Sequence, residues 1–127
     1  MHTVVETNQA PKAVGPYSQA VIATGQKMVF VSGQIPLDSI SIQIVGVDAR
    51  EQTKVVLKNL LAVLAASGAS CASVVKTTVY LKNMEDFAVV NEEYARVFHD
   101  HKPARACVEV ARLPKDVLVE IDAIAVI

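Results

Sequence analysis

The sequence predicts an α+β fold in which one mixed, six-stranded β-sheet carries two α-helices on one face. Short runs of alternating apolar residues, typical of strands, occur near both ends of the chain and in its middle. Between them, residues 48–68 and 83–98 repeat apolar positions every three to four residues, which is typical of amphipathic helices. No repeat, linker or low-complexity segment interrupts the pattern, so residues 1–127 are expected to form one domain.

The first strands are expected before residue 47. A short edge strand is predicted at Thr3–Val5, and the turn at residues 15–17 introduces an extended run over 18–24. A hairpin connection then leads into a strand at Met28–Gln34. Ser32 and Gly33 near its end would let the backbone approach a ligand closely, or they form a simple bulge. Residues 39–46, SISIQIVG, alternate like a further strand.

The first helix has clear signals at both ends. Asp48 followed by Glu51 has the spacing of a capping box, and Gly68 is a natural residue to follow the last turn. An apolar stripe on this helix is expected to face the core: Val56, Leu57, Leu60, Leu61 and Leu64. The opposite face carries a basic stripe, which suits a solvated surface better than a nucleic-acid surface: Arg50, Lys54 and Lys58.

The second helix follows a strand at residues 74–81 that is rich in β-branched side chains. Asn83 is expected to cap this helix, which should run over residues 85–98. Its predicted buried face includes Phe87, Val90, Tyr94 and Val97.

Residues 103–127 contain two alternating runs on either side of a Leu-Pro-Lys-Asp turn, which predicts a β-hairpin. If Leu113 and Asp116 close the turn, paired positions sum to about 229 and point the same way. One face would then carry a cation, a thiol and several carboxylates: Arg105, Cys107, Glu109, Glu120 and Asp122. That combination on an otherwise apolar hairpin indicates a site.

Composition and charge disfavour several classes of function. The formal net charge of −1 gives no electrostatic reason to expect a nucleic-acid partner. A mean hydropathy of +0.36 without a membrane-length apolar run favours self-association. The N-terminus lacks the pattern of a secretory signal, and Cys71 and Cys107 are expected to be reduced thiols, so a cytoplasmic location is expected. His99 and His101 have no third ligand at metal spacing, so no metal site is expected.

Five blocks of the sequence, in order along the chain, resemble the RidA/YjgF family of reactive-intermediate (enamine/imine) deaminases. They are GPYSQAV at 15–21, SGQIP at 32–36, VVKTTVYLKNMEDFAVVNEEYARVF at 74–98, HKPAR at 101–105 and PARACVEVARLPKDVLVEIDAIAV at 103–126. The resemblance covers nearly the whole chain. Residues 39–46 depart from it, because homologues often carry a Pro- and Gly-containing turn there. It implies a chorismate-mutase-like fold that assembles as a trimer.

The resemblance also assigns roles to the two charged residues of the predicted hairpin. A guanidinium can bind a carboxylate through two parallel hydrogen bonds, and Arg105 matches the arginine that holds the substrate carboxylate. Spacing alone favours an internal salt bridge of Arg105 with Glu109, Glu120 or Asp122, and the resemblance favours the ligand instead. Glu120 matches the residue that positions water for attack on an electrophilic carbon, with a structural salt bridge as the alternative.

Five further residues match family positions that line the ligand pocket: Tyr17, Ser32, Gly33, Asn91 and Cys107. At Gly33 and Cys107 the backbone is implied to contact the substrate. The Cys107 thiol has no adjacent base and is not expected to be a nucleophile. Packing, turn and helix-surface roles remain alternatives for Tyr17, Ser32 and Asn91.

The resemblance therefore implies hydrolysis of 2-iminobutanoate and 2-iminopropanoate, which pyridoxal-phosphate enzymes release as enamines, to 2-oxo acids and ammonia without a cofactor. It implies a homotrimer with sites between subunits, in which Arg105 and Glu120 come from one chain and some lining residues from its neighbour. Two alternatives remain open: a non-catalytic sensor of 2-oxo acids or amino acids, and a translation inhibitor or endoribonuclease. Near-neutral charge and 5% aromatic residues disfavour the last.

Overall fold

The computed structural model describes residues 2–127. Two α-helices pack on a mixed, six-stranded sheet, as predicted. The elements along the chain are β1 (Thr3–Val5), β2 (Ala20–Ile22), β3 (Met28–Gln34), α1 (Ala49–Ala66), β4 (Val74–Leu81), α2 (Phe87–Val97), β5 (Ala104–Glu109) and β6 (Val119–Val126).

The sheet is built from a ladder of four strands and a ladder of two. The four strands have the order β3-β6-β4-β5, with β4 and β5 parallel and the other neighbours antiparallel. β1 and β2 form an antiparallel pair. A bridge between Ser18 and Ala104 connects this pair to the β5 edge, and the Ser18 N–H donates to the Pro103 carbonyl at 3.1 Å.

The predicted hairpin between β5 and β6 does not form, because β4 lies between these two strands. Residues 110–118 are long enough to cross the end of β4 before the chain turns back, and the Val110 N–H donates to the Leu81 carbonyl at 2.9 Å. The turn at Pro114–Asp116 is present, but it belongs to this crossing. A β-branched strand such as β4 is suited to the central position, where both of its edges are paired.

The strand predicted at residues 39–46 is also absent. The Asp38 carboxylate accepts hydrogen bonds from the N–H groups of Ile40 and Ser41 at 2.9 and 2.8 Å. Ile42 has a φ of 59°, so the chain turns back here, and only an isolated bridge joins Leu37 to Ile44. Local side-chain hydrogen bonds have replaced the strand that the alternation predicted.

Helix α1 begins and ends where its signals predicted. The Asp48 carboxylate accepts from the Glu51 N–H at 2.8 Å, and Gly68 has a φ of +79° just beyond the C-cap. The Glu51 carboxylate accepts from Val47 N–H rather than from the cap residue, a capping box shifted by one residue. Arg50 of the basic stripe pairs with Glu92 and Glu93, which joins α1 to α2.

The two helices cover one face of the four-stranded ladder and leave the other face open. Helix residues Leu60, Leu64, Tyr94 and Phe98 are fully buried in the resulting core. The open face exposes large apolar side chains, including Met28, Phe30 and Val108. Within residues 2–127, neither helix combines the length and the apolarity needed to cross a membrane.

Helix α2 begins later than predicted. The Asn83 side chain accepts from the Glu85 N–H at 2.9 Å, but it caps a 3₁₀ turn at Met84–Asp86, and α2 starts at Phe87. Val90 and Tyr94 are buried as predicted, whereas Phe87 is 37% exposed. Phe87 lies in the first turn of α2, above the sheet position of Arg105 rather than within the core.

Candidate functional site

The sequence-predicted site residues form two clusters on opposite faces of the sheet. Arg105 is paired with Thr77 of β4, whereas Glu120 is paired with Tyr80 of the same strand. Paired residues point to the same face, and side chains along a strand alternate, so positions 77 and 80 point to opposite faces. The prediction that Arg105 and Glu120 share a face was therefore wrong, because it depended on the hairpin that β4 replaces.

The first cluster, here called the Arg105 cluster, consists of Tyr17, Phe87, Asn91, Tyr94 and Arg105. The Arg105 Nη1 donates to Asn91 Oδ1 at 2.6 Å. The guanidinium carbon lies 5.6, 5.7 and 5.0 Å from the ring centroids of Tyr17, Phe87 and Tyr94. At these distances the electron-rich ring faces attract the cation. The structure thus brings Arg105, Asn91 and Tyr17 together, and the pocket-lining role that the resemblance implies for them stays a prediction.

Arg105 has no ion pair with an aspartate or glutamate of residues 2–127. The internal salt bridge that spacing left open is therefore not the arrangement seen. A half-buried guanidinium held by an amide and three rings keeps unused N–H donors, since it carries five in all. This cluster is suited to binding an external carboxylate.

Tyr17 is the residue that connects this cluster to the N-terminal segment. Its hydroxyl accepts from the Val14 N–H at 3.2 Å. Beside it, a cavity of about 340 Å³ lies between the N-terminal segment and the chain that follows α2. Its walls include Gly15, Tyr17, His99 and Lys102, but not Arg105. Tyr17 therefore belongs both to the cavity wall and to the Arg105 cluster, and Gly15 of the cavity wall lies beside Arg105. The cavity and the cluster are otherwise separate.

Cys107 points to the same face as Arg105, two residues further along β5. Burial raises the pKa of its thiol, and the Arg105 charge opposes that shift only in part. A raised pKa keeps the sulfur protonated, and a protonated thiol is a weak nucleophile. This agrees with the expectation that the thiol itself performs no attack.

The second cluster, here called the Glu120 cluster, lies on the open face and consists of Gly33, Tyr80, Glu120 and Asp122. A Cβ added to Gly33 would lie 2.7 Å from Glu120 Cδ, so the absence of a side chain at Gly33 leaves room for the Glu120 carboxyl. Tyr80 donates to Asp122 Oδ2 at 2.9 Å. Burial, followed by the nearby charge of Asp122, raises the pKa of Glu120. A carboxylate with a raised pKa is a stronger base for a water molecule.

Ser32 lies next to the Glu120 cluster, at the irregularity in the pairing of β3 with β6. It is exposed, and its carbonyl accepts from Gln34 Nε2 at 3.2 Å. Ser32 and Gly33 therefore lie within an irregular part of the ladder, between Val31 and Gln34, where the sequence left a bulge open.

The histidines do not form a metal site with other residues. No group of three His, Cys, Asp or Glu side chains in the described chain could hold a metal ion. His101 Nε2 lies in hydrogen-bond contact with the Val74 carbonyl, and His99 Nδ1 lies 2.9 Å from Asp100 Oδ1.

Sequence reasoning did not assign Phe87 and Tyr94 to the site. Both were predicted to face the core because they fit the helical apolar stripe. The signal that could have placed them is the spacing of Phe87, Asn91 and Tyr94, at i, i+4 and i+7 on one face of α2. Since Asn91 was a predicted pocket residue, its neighbours on that face were candidates as well.

Comparisons with known proteins agree on one family. The sequence model described as Endoribonuclease L-PSP matches residues 7–127. A RutC family protein of Pyrococcus horikoshii is 54% identical over 125 residues, which covers 98% of each chain. TdcF of Escherichia coli strain K12, whose name contains the words reactive intermediate deaminase, is 44% identical over 129 residues, covering 99% of this chain and 98% of TdcF.

Solved structures give the same result. The crystal structure of E. coli TdcF with bound serine superposes with a TM-score of 0.75 at 44% identity and covers 98% of both chains. The YjgF gene product of E. coli superposes with a TM-score of 0.74 at 43% identity, again covering 98% of both chains.

Proposed function

Because the chain belongs to the RidA/YjgF family, described also as Endoribonuclease L-PSP, we propose that it is a deaminase of short 2-imino acids. Its substrates would be 2-iminopropanoate and 2-iminobutanoate, formed from the enamines that pyridoxal-phosphate enzymes release. The products are the corresponding 2-oxo acids and ammonia. The reaction needs no cofactor, because water can add directly to the electrophilic C=N carbon.

The observation that carries this proposal is the unneutralised guanidinium of Arg105. Its side chain is half-buried, fixed by Asn91 and three aromatic rings, and without an acidic partner in residues 2–127. A cation in this position is prepared for a ligand that brings its own carboxylate. A 2-imino acid has a carboxylate adjacent to the reacting carbon.

The Glu120 carboxyl supplies the acid and base. It takes a proton from water as the oxygen attacks the C=N carbon, which gives a carbinolamine. In the same step it returns this proton to the imine nitrogen, which becomes the amino group of the carbinolamine. Glu120 then moves the hydroxyl proton of the carbinolamine to that amino group, so that the C–N bond breaks and ammonia leaves as the C=O bond forms. Because free imines hydrolyse without a catalyst, orientation and one acid–base group, worth roughly 10²–10⁴-fold, are sufficient.

Arg105 and Glu120 can act on one substrate only if they come from different copies of the chain. Within one chain they lie on opposite faces of the sheet, separated by β4. This replaces the expectation that both come from the same subunit. We propose a homotrimer in which the Arg105 cluster of one subunit faces the Glu120 cluster of the next. The proposed assembly is supported by the open sheet face, which is apolar. Its side chains Phe30 and Met28 are 68% and 61% exposed.

A sensor of small amino or oxo acids is the second candidate. The crystal structure of TdcF holds serine, an α-amino acid with a free carboxylate. A site that binds such a molecule without chemistry would need the Arg105 cluster alone. The endoribonuclease description of the family is less well supported for this chain, because its formal net charge is −1.

The test generates 2-iminopropanoate or 2-iminobutanoate with an amino-acid oxidase in the presence of semicarbazide, which traps the free imine. The native protein is expected to reduce semicarbazone formation in proportion to its concentration. Arg105→Ala should abolish this effect. Arg112→Ala is the matched control, because Arg112 is an exposed arginine paired with Asp116 and belongs to neither cluster.

Two outcomes would contradict the deaminase. If Arg105→Ala retained full activity, carboxylate binding by Arg105 would be excluded. If the native protein had no effect on semicarbazone formation but bound 2-oxobutanoate tightly in calorimetry, the sensor would replace the deaminase.

A further inference from the structure

One face of α2 forms a cradle for the Arg105 side chain. Phe87, Asn91 and Tyr94 lie at i, i+4 and i+7, so they follow one another along the same face of the helix. All three contact the guanidinium, Asn91 by a hydrogen bond and the two rings by their faces. The position of the guanidinium is therefore set by a helix, although Arg105 itself lies on a strand.

Three rings surround the guanidinium, those of Tyr17, Phe87 and Tyr94. The Tyr94 ring lies nearest, with 5.0 Å between its centroid and the guanidinium carbon. It is also the only fully buried ring of the three, since Tyr17 is half-buried and Phe87 is 37% exposed. Ring–cation attraction is strongest where water is excluded. Tyr94 therefore contacts the guanidinium from its buried side, whereas Tyr17 and Phe87 contact it nearer the protein surface.

The Tyr94 ring is fixed by partners on both sides. Its hydroxyl forms a 2.7 Å hydrogen bond with Thr77 Oγ1, and Thr77 is fully buried in β4 beside Arg105. Phe98 packs against the ring, with 4.6 Å between the two centroids. Burial raises the pKa of Tyr94 to about 12, so its phenol stays neutral and offers Arg105 a ring face rather than a competing negative charge.

This arrangement restrains a side chain that is otherwise very flexible. An unrestrained arginine side chain loses rotamer entropy when it is ordered. If the protein orders Arg105 before the ligand arrives, the ligand does not have to offset that loss. The Asn91 hydrogen bond occupies Nη1, which leaves the remaining N–H groups of the guanidinium for a carboxylate.

We propose that Tyr94 and Thr77 are positioning residues that hold the Arg105 guanidinium in the orientation that receives the substrate carboxylate. The inference rests on the proposed function for its substrate, but not for the restraint on Arg105 itself. Neither residue touches substrate. Both act through Arg105, Tyr94 by its ring and Thr77 by fixing the angle of that ring.

The kinetic test compares two fully buried side chains. Tyr94→Leu removes the ring under Arg105, and Leu60→Ala shortens a core side chain of α1 that is not one of the residues around Arg105. Tyr94→Leu is expected to raise KM for the imino acid by about three- to thirtyfold while kcat changes less than about twofold. Leu60→Ala should lower thermal stability comparably and leave KM unchanged.

Two milder variants separate the ring from its hydrogen bond. Tyr94→Phe keeps the ring and is expected to raise KM less than Tyr94→Leu does. The double variant Thr77→Val, Tyr94→Phe removes both hydroxyls together, so neither is left buried without a partner, and it should fold with little loss of stability. If Tyr94→Leu and Leu60→Ala raise KM equally, the effect is general core damage and the proposal is wrong.

The second measurement does not depend on deaminase activity. In the free native protein, the Nε–H signal of Arg105 in a ¹H–¹⁵N NMR spectrum is expected to be displaced by the nearby ring faces, and it should return toward the random-coil position in Tyr94→Leu but not in Leu60→Ala. An Arg105 signal already at the random-coil position in the native protein would refute the restraint. A native protein without deaminase activity but with the displaced signal would refute the proposed function alone.

Discussion

Glu120 is held where its charge is disfavoured. Burial and the neighbouring Asp122 raise its pKa above the ordinary value of 4.5. A carboxyl whose pKa is raised on folding binds more protons in the folded state than in the unfolded state between the two pKa values. Folding stability therefore falls as pH rises through this window. The protein gives up some stability to keep a stronger base on its surface.

The raised pKa of Glu120 predicts how a Glu120→Gln variant changes the folding stability. At pH 7 the variant should have a higher midpoint of thermal unfolding than the native protein, because Gln carries no charge to bury. The difference should shrink as pH falls below 4.5, where Glu120 becomes protonated in both the folded and the unfolded state. Thermal scans at pH 4 and pH 7 measure this directly. A variant that is less stable than the native protein at pH 7 would contradict the raised pKa.

Gly33 is needed for space rather than for backbone freedom. An added Cβ would lie 2.7 Å from Glu120 Cδ and would push the carboxyl aside. Gly33→Ala is therefore expected to lower kcat by roughly 10²-fold, the scale of a displaced acid–base group, with a small change in thermal stability. Gly25→Ala is an instructive comparison, because its Cβ would meet Val126 and the backbone of Ile127 instead. Gly25→Ala should destabilise the fold and leave kcat per folded protein unchanged.

At the scale of elements, helix α1 depends on its N-terminal cap. Asp48 accepts the Glu51 N–H at 2.8 Å and satisfies one of the donors that no helical carbonyl can reach. Asp48→Ala should lower the free energy of unfolding by about 1 kcal/mol. Asp48→Asn retains an acceptor oxygen and should therefore lower the free energy of unfolding much less than Asp48→Ala does. Urea titrations of the two variants provide the measurement, and equal losses would show that the cap hydrogen bond is not the cause.

Helix α2 has a larger part in the site than its length suggests. One face carries Phe87, Asn91 and Tyr94 to Arg105, and its Glu92 and Glu93 pair with Arg50 of α1. Contacts with Arg105 on one side and with Arg50 on the other therefore hold the helix. They fix the distance between β5 and the α2 face that contacts Arg105. The basic stripe of α1 is accordingly in part a contact between helices, and only Lys54 and Lys58 are the solvated residues that the sequence suggested.

At the scale of the whole molecule, the proposed homotrimer makes a prediction that a single-chain site cannot satisfy. Arg105→Ala and Glu120→Gln should each be inactive alone. When the two variants are unfolded together, mixed one to one and refolded, some interfaces pair an intact Arg105 cluster with an intact Glu120 cluster. About a quarter of the native activity should return.

The control for mixing is a variant that prevents assembly. Phe30→Asp places a charge on the open apolar face, where Phe30 is 68% exposed, and should give a monomer in light scattering. Ile40→Asp, on a loop residue that is 91% exposed, should leave the assembly intact. Failure of the mixed variants to recover activity, or an active monomer of Phe30→Asp, would contradict the shared site.

Elements whose signals are local could be predicted from the sequence alone. The cap at Asp48, the end of α1 at Gly68 and the amphipathic stripes of both helices depend on residues within a few positions of one another, and the structure contains each of them. Tyr17, Asn91 and Arg105 were predicted as site residues from a family resemblance, and the structure brings them together.

Which strands are neighbours depended on contacts between distant parts of the chain. Alternation along residues 103–127 specifies two strands, but it does not specify whether they pair with each other or with a third strand. The insertion of β4 moved Glu120 to the face opposite Arg105, because the direction of a strand side chain depends on the register of pairing. Similarly, the alternation of residues 39–46 did not form a strand, because the Asp38 carboxylate satisfied the backbone locally. Long-range pairing and local hydrogen bonding compete for the same backbone groups, and the folded chain as a whole decides between them.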